Sequence, residues 1–463
     1  MFNRVHEKTE AWRLIVLGRN ASELLVFQSD GQFRLPRVEI PAHGRVALAL
    51  NAQIKALWSL AVYSLYPLPD TAPGHATDRH HVLEALQYEA VAPQTAQWLP
   101  VRSATADHFI EHQDFTAIET STRNLGRSNT NGRRSPFEKP GWFFELTDWV
   151  QEAIRPFRLK LTGNFQQFNA DSSFSLIRFE TNAVAVWFKA VGEPNSREFS
   201  LAVALSTYLS SFSPRVLTTL PQWNGWLAVE AQGSTLSQSP DFHAWEKAAA
   251  SLGELQAKSI PATAEIMAAG APGIQTDWLL DQCDPFFSLM ESLMQQQCKP
   301  LPPPLAPTQL LELRHQINQM LRRLANMNIP DTLCHLDCNP GNVVVSSAKC
   351  TFLDWCEAAV GNPILNFQLF LDYFRFCFAS GAQAESALIS AYVRSWEGLL
   401  EPHVVRNALQ LAPALAVFTT AVSFVVRRDM KDMASPQTSA WLRSLARRIH
   451  REVEAASALQ FVA

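Results

Sequence analysis

The sequence predicts an α+β chain whose strand-rich first half gives way to a helical second half. Three observations carry this. Short β-branched and aromatic runs, broken by Asn, Asp and Gly, recur between residues 12 and 40 and again between 174 and 231. From residue 241 onward the apolar spacing is mostly helical, interrupted by a proline stretch at 299–307 (KPLPPPLAP) that no helix crosses. The length, 463 residues with 47% hydrophobic, is enough for two or three packed domains.

In order, WRLIVLG (12–18), ELLVF (23–27) and FRLPRVEI (33–40) read as strands, with a turn at Ser29, Asp30 and Gly31. Residues 46–66, rich in Ala and Leu, read as a helix, and 68–82 as a loop. Residues 120–140 (TSTRNLGRSNTNGRRSPFEKP) are polar and rich in Gly, Asn and Ser, the pattern of a solvated, mobile segment. FFELTDWVQEAI (143–154) reads as a helix closing a first α/β domain, residues 1–150. The next part, 156–236, holds a β-hairpin of FSLIRFE (174–180) and AVAVWFKAV (183–191), a helix at 197–212 and a strand GWLAVEA (225–231). Helices at 241–259, 276–297 and 308–327 open a largely helical third part, 237–463.

Charge excludes several functions. Lys+Arg number 39 against 43 Asp+Glu, a net charge of −4, so no strong field points to nucleic acid or an anionic membrane. All seven cysteines follow residue 282, an odd set that does not read as a secreted disulfide framework. The opening MFNRVHEKTEAWRLIVL has no signal-peptide pattern. The apolar run 412–426 is short for a bilayer and contains Pro413, so it reads as a buried core helix. A cytoplasmic protein is expected.

Residues 334–345 read CHLDCNPGNVVV and 352–355 read FLDW. This is H-x-D-x-x-x-x-N, a short strand, a turn, and an apolar strand ending in Asp. Phosphoryl transfer needs a carboxylate beside the acceptor hydroxyl and oxygen ligands holding Mg²⁺ on the nucleotide phosphates. In that reading Asp337 is the base, while Asn342 and Asp354 are metal ligands; protein kinases use the same order.

HLDCNPGNVVV followed by FLDWCEAAVGNP resembles the aminoglycoside phosphotransferase and choline kinase-like family, which carries H-G-D-x-x-P-x-N and I-D-W-x-x-A-x-x-G-D-P. Leu336 stands where the family has Gly, and Asn362 where it has Asp. The resemblance spans about residues 160–460. It implies a bilobal protein kinase-like fold with ATP between the lobes, Mg²⁺ as cofactor, and a hydroxylated small molecule (sugar, amino alcohol or aminoglycoside-like) as partner. Such a kinase needs a strand lysine on the α/β-phosphates and a helix glutamate to position it. Lys189 and Glu198 fit. FNADSSFSL (168–176) lies where the phosphate loop belongs, with Ser172 and Ser173 as phosphate donors in place of glycines, and Glu230 falls at the strand-to-hinge position that meets adenine. Residues 361–463 hold 10 Lys+Arg against 8 acidic residues, no acidic excess for a polycationic acceptor. Tyr373, Phe374 and Phe376 either line the acceptor pocket or pack the core, and core is the expectation.

Two other classes compete. A nucleotide-binding pseudokinase or scaffold is suggested by the thin phosphate loop. A metal hydrolase would use His108 and His112 of H-x-x-E-H, but the surrounding TADHFIEHQDF shows no long helix to display both, and a surface pair is the expectation. Cysteines 334, 338, 350 and 356 are expected as free thiols rather than zinc ligands. The first domain, RLIVLGRNASELLVFQSDGQFRLPRVEIP, resembles the opening strands of a Nudix domain, yet residues 47–66 contain no Glu or Asp to form its metal box.

Overall fold

Within Thr9–Leu17, Leu14, Ile15, Val16 and Leu17 are apolar and buried on both faces, and the sheet built around them is covered on both. The computed structural model describes residues 8–69, 79–87, 95–126, 136–170, 174–239, 241–378, 382–427 and 435–460. The chain forms two units: residues 1–199 with 215–230, and residues 200–214 with 231–463.

In the first unit, a seven-stranded mixed sheet runs in the order Gln32–Arg34, Glu23–Ser29, Thr9–Leu17, Arg79–Ala85, Val62–Pro67, with Arg37–Pro41 and Ala96–Pro100 paired off this path. Thr9–Leu17 is parallel to Arg79–Ala85, Leu14 opposite His81. Asp30 and Gly31 both take positive φ (51° and 82°), the two-residue turn whose twist suits a hairpin. The helix Val46–Trp58 puts Leu50, Ile54 and Trp58 against Leu14 and Val16.

The structure corrects three sequence expectations here. The helix expected over 46–66 stops at Trp58, where Ser59 turns left-handed (φ 54°) and its N–H donates to Lys55 O. The β-branched and aromatic Val62–Pro67 then pairs as a strand with Arg79–Ala85. Residues 79–82 of the expected loop are therefore strand, while 70–78 lie outside the described residues. The segment expected to be mobile begins as the last turns of the helix His112–Gly126, and 127–135 lie outside the described residues.

The same unit holds a five-stranded antiparallel sheet in the order Val216–Leu220, Gly225–Val229, Val186–Val191, Phe174–Thr181, Leu161–Ala170. Leu161–Ala170 is largely polar and Val216–Leu220 short, so neither announces itself in the sequence. The helix Trp142–Ile154 joins the two sheets. Its start is set by Gly141 (φ 89°), whose N–H donates to the Tyr63 hydroxyl (2.9 Å) and the Glu84 carboxylate (2.7 Å). Phe143 packs on Tyr63 from one sheet and on Phe165 and Phe179 from the other, and Trp149 packs on Phe188. One apolar cluster thus runs from Ile15 and Leu17 through Leu146 and Val150 to Ile177 and Phe188. The buried Gln167 amide ties the sheets directly: its Oε1 accepts from Ser64 N (2.7 Å) and its Nε2 donates to Ser64 O (3.0 Å).

In the second unit, helices Phe242–Ser259, Thr276–Gln295, Pro307–Ala325, Pro363–Cys377, Ala382–Arg394, Pro402–Val426 and Pro436–Gln460 enclose one core. Pro402–Val426 is apolar enough to cross a membrane by length and composition, but Ala412, Leu415, Phe418 and Val422 are buried in that core. Phe367 and Tyr392 stack at its centre, 3.7 Å apart and nearly parallel. Two small sheets carry the site: Ser234–Thr235, Val343–Val345, Cys350–Phe352; and Gly273–Ile274, Ala358–Gly361, Thr332–His335.

His81 makes a pH prediction. It is fully buried, its imidazole edge meets Trp12, and neither ring nitrogen has a hydrogen-bond partner among the described residues. Burial pushes its pKa down to about 3, so between pH 6.5 and 3 the unfolded chain binds a proton that the folded chain refuses. Stability is full above pH 6.5 and falls as pH drops through that window, by about 2 kcal/mol at pH 5. In urea unfolding at pH 7.5 and 5, His81→Leu should show a smaller loss on acidification than wild type by about that amount. Equal losses would contradict the neutral, buried imidazole.

Candidate active site

Side chains alternate along Val186–Val191, so Lys189 and Trp187 share one face of the five-stranded sheet and Phe188 the other. Lys189 Nζ lies 2.5 Å from Glu198 Oε1, in the first turn of the helix Arg197–Tyr208, and the two side chains are only 12% and 3% exposed. The ammonium also lies over the rings of Phe174 (5.3 Å) and Trp226 (5.8 Å). The pair expected from the sequence is thus brought together.

Glu230 follows directly on Gly225–Val229, as expected. Its N–H donates to Ala185 O (3.0 Å). Its carboxylate accepts from Arg178 Nε (2.6 Å) and Nη2 (3.0 Å) and from Trp187 Nε1 (3.0 Å). The Arg178 hydrogen bonds hold the Glu230 carboxyl below the usual carboxylate range, against the opposing effect of burial. Ser172 and Ser173 lie outside the described residues.

In the second unit, Thr332–His335 delivers the loop that carries Asp337, and a hairpin of Val343–Val345 and Cys350–Phe352 delivers Asn342 and Asp354. Leu353 N donates to Asn342 O (2.8 Å), so the hairpin sets the residue before Asp354 beside Asn342. His335 Nε2 donates to Leu353 O (2.8 Å), tying the Asp337 strand to the Asp354 segment. Burial lowers the His335 pKa, so the ring is neutral, with Nε2 carrying the proton. Asp354 is held at φ 61°, ψ 74°, a strained conformation for a non-glycine residue and of the kind that clusters at functional sites.

Asp337 is half-buried and is oriented by three donors: Asn339 Nδ2 (2.9 Å) to Oδ1, Asn342 Nδ2 (3.0 Å) to Oδ2, and the Tyr373 hydroxyl (3.4 Å) to Oδ1. Asn342 Nδ2 also donates to Asp337 O (3.0 Å), which leaves its Oδ1 to face another partner. Asn339 caps the turn Pro340–Asn342 by accepting from Gly341 N (2.9 Å). Burial, then the Asp337 charge, pushes the Tyr373 hydroxyl up to about 12, so it is a donor at neutral pH.

The sequence reading missed Asn339 and Asn366, and favoured the core for Tyr373. Asn366 and Tyr373 lie seven residues apart on Pro363–Cys377, two turns along one helix face. Asn366 Oδ1 accepts from His335 N (3.1 Å) and its Nδ2 donates to His335 O (2.8 Å). Gln256 Nε2 donates to the same Oδ1 (3.1 Å), and the Tyr392 hydroxyl donates to Gln256 Oε1 (2.7 Å). Polar residues in an otherwise apolar helix were the available signal. Of the three aromatics read as core, only Phe374 is buried; Tyr373 meets Asp337 and Phe376 is 89% exposed.

The two departures from the resembled motif sit in defined local settings. Leu336 lines a small cleft with Ile274, Leu369 and Thr419. Asn362 caps Pro363–Cys377 by accepting from Ile364 N (3.0 Å), and Asn caps a helix as well as Asp does. His108 and His112 are exposed, one in a 3-10 turn and the other opening a helix. The seven cysteines are free thiols, with Cys334, Cys338 and Cys350 buried.

Asn366→Leu should leave the His335 N–H and C=O buried without partners and cost about 2–5 kcal/mol, read as a lower urea midpoint. Tyr392→Phe, at the far end of the same relay, should cost about 1 kcal/mol. Equal effects of the two changes would argue that Asn366 does no more than pack.

Residues 191–402 match the model of the phosphotransferase enzyme family. Glu198, Asp337, Asn342 and Asp354 fall inside that span; Lys189 and the residues of the Nudix resemblance fall outside it. None of the curated proteins matches this chain. Solved structures similar to it include a macrolide 2'-phosphotransferase from Brachybacterium faecium (15% identity, 65% of this chain and 97% of that one, TM-score 0.44). A choline/ethanolamine kinase family protein from Mesorhizobium loti shares 15% identity over 66% of this chain and 99% of its own, with TM-score 0.42. An ethanolamine kinase from Plasmodium vivax shares 14% over 77% and 92%, with TM-score 0.43.

Proposed function

We propose that this chain, whose residues 191–402 match the phosphotransferase enzyme family, is a small-molecule kinase that uses ATP and Mg²⁺. It transfers the γ-phosphoryl group to a hydroxyl of its acceptor. The observation that carries this reading is the Asp337 carboxylate, oriented by Asn339, Asn342 and Tyr373 beside a hairpin that presents Asp354.

The donor set fits a hard divalent cation: the carboxylate of Asp354 and the Oδ1 of Asn342, whose amide nitrogen is already engaged, are oxygen ligands of the type Mg²⁺ takes. Bound there with the nucleotide, the metal would neutralise charge on the phosphates. Lys189, set by Glu198, holds the α/β-phosphates. Asp337 accepts the acceptor's hydroxyl proton as the new oxygen–phosphorus bond forms and the bond to the leaving nucleoside diphosphate breaks. The acceptor is a hydroxylated metabolite, a sugar or an amino alcohol, ahead of a polycationic aminoglycoside, because residues 361–463 carry no acidic excess. A cytoplasmic setting, where ATP–Mg²⁺ and reduced thiols coexist, is part of the same reading.

Asp337→Asn should lower turnover by about 10²–10⁴-fold with nucleotide affinity kept. A panel of hydroxylated metabolites, scored by ADP release, supplies the acceptor for that comparison. Turnover equal to wild type would remove Asp337 from the chemistry. Nucleotide binding with no acceptor-dependent ADP release across the panel would leave a nucleotide-binding scaffold as the better reading. Asp354→Ala should abolish the Mg²⁺ dependence of nucleotide binding in calorimetry, and full retention would refute its metal role.

A further inference from the structure

Beside Asp337 the second unit holds two groups of opposite charge that the proposed phosphoryl transfer leaves unused. Strands Thr332–His335 and Ala358–Gly361 pair antiparallel, with His335 opposite Ala358. The chain leaves the first strand toward Asp337 where it enters the second from Glu357, so this register brings Glu357 alongside the Asp337 loop. Tyr373 is common to both. Its hydroxyl donates to Asp337 (3.4 Å), and after burial the charges of Asp337 and Glu357 are both among the causes that raise its pKa. Glu357 is half exposed, and its Oε2 lies 3.9 Å from Arg427 Nη1, beyond hydrogen-bond distance. Arg427 follows the helix Pro402–Val426, where its Nε donates to Ser423 O (3.1 Å). An ion pair this long and this accessible adds little stability. What it does provide is two opposite charges at a fixed place beside the base. Asp337 Oδ1 accepts from Asn339 and Tyr373, whereas Oδ2 accepts from Asn342 alone among the described residues. Oδ2 is therefore the oxygen with a lone pair to spare for an incoming hydroxyl.

We propose that Glu357 and Arg427 clamp the head group of the acceptor, and that the acceptor is a hydroxy-α-amino acid. Its ammonium sits on Glu357, its carboxylate on Arg427 and its side-chain hydroxyl on Asp337 Oδ2. The inference rests on the phosphotransferase reading and narrows its amino alcohols to those that also carry a carboxylate. Charge balance selects this class. An α-amino acid bears both charges on one carbon, so inserting it between Glu357 and Arg427 gives each side chain a new counter-charge as water is expelled. An amino alcohol without the carboxylate pairs Glu357 but deprives the guanidinium of the counter-charge that Glu357 had given it. A hydroxy acid without the ammonium does the reverse, and a neutral sugar serves neither. A charge taken out of water without a partner is costly, which disfavours all three. The planar guanidinium fork also matches a carboxylate. In the transfer, the hydroxyl oxygen bonds the γ-phosphorus, its proton passes to Asp337 Oδ2, and the bond from that phosphorus to the nucleoside diphosphate oxygen breaks. The products are the O-phosphorylated amino acid and ADP.

The test follows ADP release by the full chain with ATP–Mg²⁺ on L-homoserine and on its two truncations: 3-aminopropan-1-ol, which lacks the carboxylate, and 4-hydroxybutanoate, which lacks the ammonium. L-Serine and 5-hydroxy-L-lysine vary the reach to the hydroxyl, and glucose and kanamycin represent the other acceptor classes. At least one hydroxy amino acid should exceed the truncations, glucose and kanamycin by about 100-fold or more in kcat/KM. Arg427→Gln should erase most of the margin over the amino alcohol, and Glu357→Gln most of the margin over the hydroxy acid. Both losses should fall chiefly on the acceptor KM, with ATP–Mg²⁺ affinity in calorimetry unchanged. Any other class turned over best overturns the clamp and leaves the phosphotransferase reading standing, and so do margins that survive both substitutions. Where a substitution lowers the urea midpoint, the wild-type ranking alone decides. No acceptor-dependent ADP release across the panel overturns both readings.

Discussion

The geometry of the candidate site in the second unit hangs on one buried, neutral imidazole. His335 Nε2 reaches Leu353 O, so a side chain fastens the strand that leads to Asp337 to the segment that holds Asp354. A charged ring there would bring a second N–H with nothing to accept it, since Nδ1 is buried without a partner among the described residues. Asn366 then fixes the backbone of His335 from both sides, and Gln256 and Tyr392 extend the anchorage into the helical core. Each link is buried, so each is exchanged for a desolvated, unpaired group when broken. A polar relay of this kind confers position more than stability.

The first unit solves a different problem. A five-stranded sheet has two faces, and the face opposite Lys189 is apolar, with Ile177, Phe179 and Phe188. Here the helix Trp142–Ile154 and the seven-stranded sheet behind it cover that face. The strand that carries Lys189 is thereby packed from behind by Trp149 on Phe188, its immediate neighbour. The first 155 residues are physically part of the platform on which the lysine stands, whatever further task they have.

Much of this was legible from the sequence, because some signals are local. H-x-D-x-x-x-x-N with a following Asp marks the candidate site's segment by spacing alone, and Lys189 stands out as the one charge in an apolar strand. The helices Trp142–Ile154, Phe242–Ser259, Thr276–Gln295 and Pro307–Ala325 show in their periodicity and their proline boundary. The rest depended on distance in space. Tyr373 and Asn366 reach the Asp337 loop only because Pro363–Cys377 lies against it, and nothing about an aromatic in an apolar helix says it ends on a carboxylate. Arg178 and Trp187 look unrelated until strand register sets them side by side. The strand Val62–Pro67 was hidden by the Ala- and Leu-rich helix before it, since composition blurs a boundary that one left-handed residue, Ser59, draws sharply.

The first unit is not continuous in the chain: residues 215–230 return to it after 200–214 have left for the other. A ribosome delivers the chain in one direction, so the apolar face of Trp142–Ile154 emerges well before the five-stranded sheet is complete. Gly225–Val229, which flanks the lysine strand, follows Ile154 by some 70 residues, roughly 4–15 s of synthesis at about 5–20 residues per second. During that interval a nascent aromatic surface stands open. The order of the elements along the gene therefore makes this protein a natural client for whatever shields emerging chains, a demand that the finished fold no longer displays.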